Sequence, residues 1–191
     1  MIFMKVYVVD NGGQWTHREW RVLRDLEVDA VIVPNTTEIE KLKDADAVVL
    51  SGGAPSISYE KYKLGNQPQY LEELEVPILG ICVGAQLIAE HFGGECGPAK
   101  YPEYGKTEVF IDDEDEIFQG LPPKIIAWES HNDEIKELSD GLISLAHSST
   151  CRYQAIRHRK KAIYGVQFHP EVEHTEYGEE IFRNFLKIAR R

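Results

Sequence analysis

Cys82, His169 and Glu171 have the types and surroundings for nucleophilic chemistry. Cys82 lies in Gly80-Ile81-Cys82-Val83-Gly84, with a glycine two residues away on either side. A nucleophile bracketed this way sits on a sharp strand-to-helix turn, where larger flanking residues would collide with their neighbours. The corner side chain is pushed into the open at the N-terminus of the next helix, where free N–H groups and the helix dipole favour a thiolate. The competing reading is a buried structural cysteine in a β–α turn, and the paired glycines put the two on an equal footing. His169 ends the apolar run Ile163-Tyr164-Gly165-Val166-Gln167-Phe168, and Pro170 and Glu171 follow it. Residues two apart on an extended segment point to the same side, so Glu171 can lie beside the imidazole and fix its orientation. The three then serve as nucleophile, base and orienting carboxylate.

A zinc site built from Cys82, His169, Glu171 and His174 is the rival use of these residues. The spacing is not HExxH, and Pro170 breaks the helix such a motif needs. No cysteine pair supports a structural metal site, so no metal is expected. Ser51-Gly52-Gly53 closes an apolar run, and its glycines let backbone N–H groups approach a ligand closely. An oxyanion hole can combine the N–H of Gly53 with that of Val83, the residue after the nucleophile. The same three residues open the phosphate-binding loop of ATP pyrophosphatases, but Ala54-Pro55-Ser56 follows in place of the Asp-Ser such a loop carries.

These groups need a scaffold. Strands are expected over residues 3–9, 30–33, 47–50 and 76–81. Helices are expected from Thr16, as the cap, to about residue 27, from Thr37 to Leu42, over residues 69–74, and after Cys82 up to Gly93-Gly94. Strands alternating with helices indicate a parallel sheet covered on both faces. The second half reads as strands over residues 106–111, 124–128, 142–146, 153–157 and 162–168, some of them antiparallel. An amphipathic helix over residues 177–188 closes the chain. Residues 54–66 and 97–105 read as long loops. The expected fold is a single α/β domain over residues 1–191: an open, mixed, mostly parallel sheet flanked by helices in a three-layer, flavodoxin-like arrangement. Its active groups belong at the carboxyl ends of the parallel strands.

The 191 residues, 42% of them hydrophobic, suit one domain with a full core. A net charge of −11 argues against nucleic acid or anionic membrane as the main partner, and for a basic docking face on a partner protein. No apolar run reaches transmembrane length, and Met1-Ile2-Phe3-Met4-Lys5-Val6 lacks a signal-peptide layout. Cys82, Cys96 and Cys151 form no framework spacing and no CxxC, as expected of a cytoplasmic protein.

Taken in order, Ser51-Gly52-Gly53, Gly80-Ile81-Cys82-Val83-Gly84-Ala85-Gln86 and Gly165-Val166-Gln167-Phe168-His169-Pro170-Glu171 resemble the motifs of the triad-type, class I glutamine amidotransferase family over essentially the whole chain. Asp10-Asn11-Gly12-Gly13-Gln14, Pro34-Asn35-Thr36-Thr37, Trp128-Glu129-Ser130-His131-Asn132-Asp133-Glu134 and Val172-Glu173-His174-Thr175 are similar to the branch that serves a separate GMP synthase subunit. The resemblance implies hydrolysis of glutamine by Cys82, His169 and Glu171, with the oxyanion held at Gly53 and Val83. It implies that Gln86, Ser130, Asn132 and Asp133 bind glutamine, and that His131 and Asp133 sense the partner. That partner would be an ATP-pyrophosphatase subunit that aminates XMP to GMP with its own ATP and Mg2+, leaving this chain without a cofactor. Other readings are a glutaminase for anthranilate, aminodeoxychorismate or carbamoyl phosphate synthesis, a stand-alone γ-glutamyl thiol hydrolase, and a non-catalytic glutamine-binding subunit. Two departures stand out. Ala85 replaces a larger residue, which either loosens the pocket or leaves room for a neighbour, and Ala54 separates Gly53 from Pro55.

Overall fold

A computed structural model describes residues 3–191; Met1 and Ile2, the start of the N-terminal run considered above, lie outside the described residues. Strands β1 (Lys5–Asn11), β2 (Asp29–Pro34), β3 (Ala47–Gly53), β4 (Ile78–Ile81) and β9 (Ile163–Val166) pair in parallel, in the order β2-β1-β3-β4-β9. Strands β8 (Ala155–His158), β7 (Leu142–His147), β5 (Glu95–Ile111) and β6 (Lys124–Glu137) continue the same nine-stranded sheet in antiparallel fashion. The expected mixed α/β sheet is the one observed.

The central strands read as unbroken apolar runs because both faces are covered. Val6 and Val8 of β1 pack into a core with Leu23 of helix α1 (Thr16–Asp25) and Ile181, Phe182 and Phe185 of helix α4 (Gly178–Ala189). Tyr7 and Val9, pointing the other way, join a second core with Leu71 of helix α2 (Gln67–Glu73) and Leu87 and Ile88 of helix α3 (Val83–His91). The side-chain period of two thus produces the three layers.

Several boundaries differ from the sequence reading. Thr16 does not cap α1: it is the first helical residue, and its hydroxyl bonds Asp10 Oδ1 at 3.0 Å and the Gly13 carbonyl at 3.3 Å. The short segment after Thr37 is a 3-10 turn, Ile39–Leu42, and a second such turn, Lys61–Leu64, interrupts the loop at residues 54–66. Ser51-Gly52-Gly53 completes β3 and does not form a turn after it. Residues 97–105, expected as a loop, belong to β5, whose pairing with β6 shifts register between Pro98 and Glu103. Ser130 to Asp133, beyond the strand expected over residues 124–128, also lies within β6. Glycine and proline at residues 97–105 and polar side chains at residues 130–133 mimic a loop, but cross-strand pairing overrides that signal.

Candidate active site

The sheet order brings the chemistry together. β4 is flanked by β3 on one side and β9 on the other, all parallel, so their carboxyl ends share one edge. Ile81 pairs with Val166, which places Cys82 and the segment leading to His169 side by side. The Cys82 N–H donates to the Val166 carbonyl at 2.8 Å, and the Cys82 carbonyl accepts from the Gln86 N–H at 3.1 Å. Between these two bonds the backbone turns from strand to helix, with Cys82 at φ 53° and ψ −110°. A non-glycine residue held there is strained, and the surrounding structure must impose it. The flanking glycines explain how: a Cβ on Gly84 would lie 2.4 Å from the Leu50 carbonyl oxygen, and one on Gly80 would lie 2.6 Å from the Gly84 backbone.

Beyond β9 the chain is tied down at His169. Its N–H donates to the Trp128 carbonyl at 2.9 Å, and the Thr175 hydroxyl donates to its carbonyl at 2.6 Å. Gly178, the first residue of α4, packs so closely that a Cβ there would lie 2.0 Å from the Pro170 carbonyl oxygen. The His169 ring Nδ1 bonds Glu171 Oε1 at 2.6 Å, which leaves Nε2 for the side of Cys82. Trp15 meets the ring edge-on at 4.6 Å between centroids. Burial opposes the charged imidazolium, but the Glu171 carboxylate and the Cys82 sulfur outweigh it, holding the His169 pKa well above its ordinary value. This arrangement can keep a protonated imidazole beside a sulfur nucleophile, as acyl transfer requires. His174, the fourth residue of the rival zinc set, is turned away and lies against Trp128 at 5.0 Å between ring centroids.

A cavity of about 700 Å³ opens above this edge. Gly53, Val83, Gln86, Ser130, His131, Asn132 and Asp133 all line it with Cys82, His169 and Glu171. Both N–H donors of Gln86 are engaged, to the Asp133 carbonyl at 2.8 Å and to Gln167 Oε1 at 3.0 Å. Gln86 therefore anchors β6 to α3, and only its Oε1 is left for a ligand. The thiol of Cys82 lies 3.9 Å from the Ser130 carbonyl, and Asn132 is exposed. The Asp133 carboxylate accepts from the Ser56 hydroxyl at 2.5 Å and the Ser58 hydroxyl at 3.1 Å, clasping the loop at residues 54–66 over the cavity. Ala54 is an exposed residue of the cavity rim. Ala85 is buried away from the cavity against Gly165, where a Cβ would lie 2.9 Å from its own, so its small size serves strand β9 and does not widen the pocket.

His131 is turned inward. Its Nε2 donates to Glu103 Oε2 at 2.7 Å and lies 3.3 Å from Glu129 Oε2, while Nδ1 donates to the Asp133 carbonyl at 2.8 Å. Burial alone would lower its pKa, but the two carboxylates push it up to about 10, so it is an imidazolium. Glu103 also accepts from Ser148, from Thr150 at 2.6 Å and from Gln154 at 2.7 Å. Ligand atoms of Glu103, His131 and Cys151 lie within 4.8 Å of one another. A metal there would have to displace the proton His131 gives to Glu103 and ionise a thiol whose pKa burial raises. The arrangement is that of a buried ion pair beneath the cavity floor.

Two residues around the reactive set, Trp15 and Glu19, escaped the sequence reading, and Thr175 entered it only as part of a motif, without its bond to the His169 carbonyl. Glu19 is 1% exposed and accepts the Gly52 N–H at 3.2 Å. Its signal was the spacing of Thr16, Glu19 and Leu23, the buried stripe of α1.

Residues 7–189 match the sequence family described as Glutamine amidotransferase class-I. A subunit of the glutamine-hydrolyzing GMP synthase of Thermoplasma volcanium is 56% identical over 189 residues, covering 99% of this chain and 94% of that protein. The protein of the same description from Archaeoglobus fulgidus is 47% identical, covering 98% of this chain and all of the relative. A crystal structure of a Thermoplasma acidophilum protein described as a GMP synthase subunit superposes with a TM-score of 0.96 at 55% identity, covering 100% of this chain and 96% of that one.

Proposed function

The chain belongs to the class-I glutamine amidotransferase family, and from that premise we propose that it hydrolyses glutamine to glutamate and ammonia for a separate subunit that converts XMP to GMP. The observation that carries this reading is the strained Cys82 corner beside the His169–Glu171 pair on the adjacent parallel strand. The relatives described as GMP synthase subunits support the choice of synthase.

The Cys82 thiolate adds to the side-chain carbonyl carbon of glutamine. Negative charge moves to the oxygen, which the N–H groups of Gly53 and Val83 stabilise. The His169 imidazolium gives its proton to the amide nitrogen as the C–N bond breaks, and ammonia leaves a glutamyl thioester on Cys82. Neutral His169 then takes a proton from water. The hydroxide adds to the thioester, the thiolate departs, and glutamate is released. Glu171 holds the imidazole in the tautomer both steps need and balances its charge. Ser130, Asn132 and Asp133 hold the amino-acid end of the substrate, and Gln86 fixes the Asp133 backbone. His131 and Asp133 carry the partner's influence through β6 and the clasped loop. This chain acts as a single cytoplasmic domain without a cofactor, and the ATP-pyrophosphatase subunit carries ATP and Mg2+.

A glutaminase assay with and without the candidate synthetase subunit, XMP and ATP tests the proposal. Low turnover by the isolated chain, rising when all three are present, is expected. Full-rate hydrolysis without a partner would overturn the reading of this chain as one half of a synthase.

A further inference from the structure

Glu19 is a buried acid at the reactive edge with no part in the steps above. It projects from the first turn of α1, 1% exposed, and lines the cavity. Its Oε1 accepts the Gly52 N–H at 3.2 Å, while Oε2 is buried with no hydrogen-bond partner among the described residues. Gly52 is wedged against the reactive pair: a Cβ on it would lie 3.0 Å from His169 Cε1 and 3.5 Å from Cys82 Cβ. Glu171, bonded to Nδ1 of that imidazole, also keeps one buried oxygen without a partner among the described residues. Two buried carboxyl groups, Glu19 and Glu171, thus share the field of one imidazolium.

We propose that Glu19 is a positioning residue that works in its protonated, uncharged form. Its carbonyl oxygen pins the Gly52 peptide at the end of β3, and its neutrality leaves the imidazolium of His169 to the Glu171 carboxylate and the Cys82 sulfur. The inference rests on the triad assignment above. Two like charges sharing one buried counter-charge cannot both be held cheaply, so one carboxyl keeps its proton. Glu171 bonds His169 directly at 2.6 Å and is the ionised one. The charged groups facing Glu19 are Glu171 and His169 beyond β9 and Asp10 at the end of β1. Burial and then the Glu171 charge hold its pKa well above the ordinary value, against the lowering influence of the Gly52 N–H and His169.

Two substitutions separate the roles. Glu19→Gln keeps an uncharged acceptor for Gly52; Glu19→Leu keeps bulk and removes the acceptor. With the full chain in complex with its synthetase subunit, Glu19→Leu should lower kcat roughly tenfold across the pH range while moving KM for glutamine much less. Glu19→Gln should recover most of that loss and should remove the alkaline fall in kcat caused by ionisation of Glu19 in the wild type. Equal damage in both variants, or wild-type kcat in Glu19→Leu, would overturn the proposal.

A second readout needs no turnover. An acid whose folded pKa is raised loses stability as pH rises above its unfolded value, because only the unfolded chain ionises freely. Glu19→Gln should therefore melt about 2–4 °C above the wild type at pH 8, with the difference vanishing near pH 4. A pH-independent difference, or a lower melting temperature at pH 8, would refute the neutral form. A wild-type complex without glutamine turnover would fault the glutaminase reading, and the melting comparison would still decide the charge state of Glu19.

Discussion

The parallel and antiparallel halves of the sheet contribute different things to one cavity. β3, β4 and β9 deliver reactive groups from strand ends, each fixed by a steric device: the Cys82 corner, the crowded glycines and the Gly178–Pro170 contact. β5 and β6 instead present the flank of a long paired ribbon, Ser130 to Asp133, held from below by the imidazolium of His131 between Glu103 and Glu129. Strand ends can be aimed one at a time, which suits bond-breaking groups. A ribbon flank offers repeated backbone donors and acceptors, which suits holding a substrate. Substitutions in the first half should therefore reach kcat, and those in the second should reach stability and KM.

Cys82→Ala is the harshest test of the parallel half. Turnover should fall on the order of 10⁵-fold or more, with the melting temperature little changed, because the nucleophile is lost and only a small side chain is altered. Glu171→Gln should lower kcat on the order of 10⁴-fold by freeing the imidazole. It should also lower the His169 pKa, since Glu171 is the main group raising it against burial. A chemical-shift titration of the His169 ring measures that change, and an unmoved ring would break the pairing.

In the antiparallel half, His131→Leu leaves two carboxylates without their counter-charge and should cost about 3–5 kcal/mol of stability in denaturant unfolding. The sign with pH follows from the pKa of about 10. A histidine raised in the folded state stabilises fully below about pH 6.5, and the contribution disappears as pH climbs through 10. Wild type and variant should therefore converge at high pH. A kcat loss as deep as that of Glu171→Gln, without loss of stability, would erase the distinction between the halves. Ser58→Ala, which frees one arm of the Asp133 clasp, is the mildest change and should raise KM for glutamine between about twofold and tenfold. An unchanged KM would mean that the loop does not shape the cavity.

The two halves were also unequally legible in the sequence. Buried parallel strands write their positions as apolar runs, and the glycines around Cys82 mark a corner whose sterics admit little else. The order β4-β9 could not be read locally, because it depends on pairing between residues 85 positions apart that only tertiary packing selects. In the ribbon, polar residues alternate with buried ones whose partners lie on the other strand, so residues 97–105 read as a loop and the strand expected from residue 124 stopped at 128, short of its true end. Glu19 was obscured differently: a carboxylate on a helix is ordinarily solvated, and its burial follows from a wall of neighbours supplied by β3 and the segment beyond β9.

The position of β9 has a bearing on how the protein is made. It follows the other eight described strands in the chain, yet it lies in the interior of the sheet between β4 and β8. A chain that stops short of β9 lacks both the Val166 carbonyl that accepts the Cys82 N–H and the imidazole that would set the cysteine corner working. Until β9 slots home, the newborn polypeptide has not assembled the pair of groups that would set free amide nitrogen.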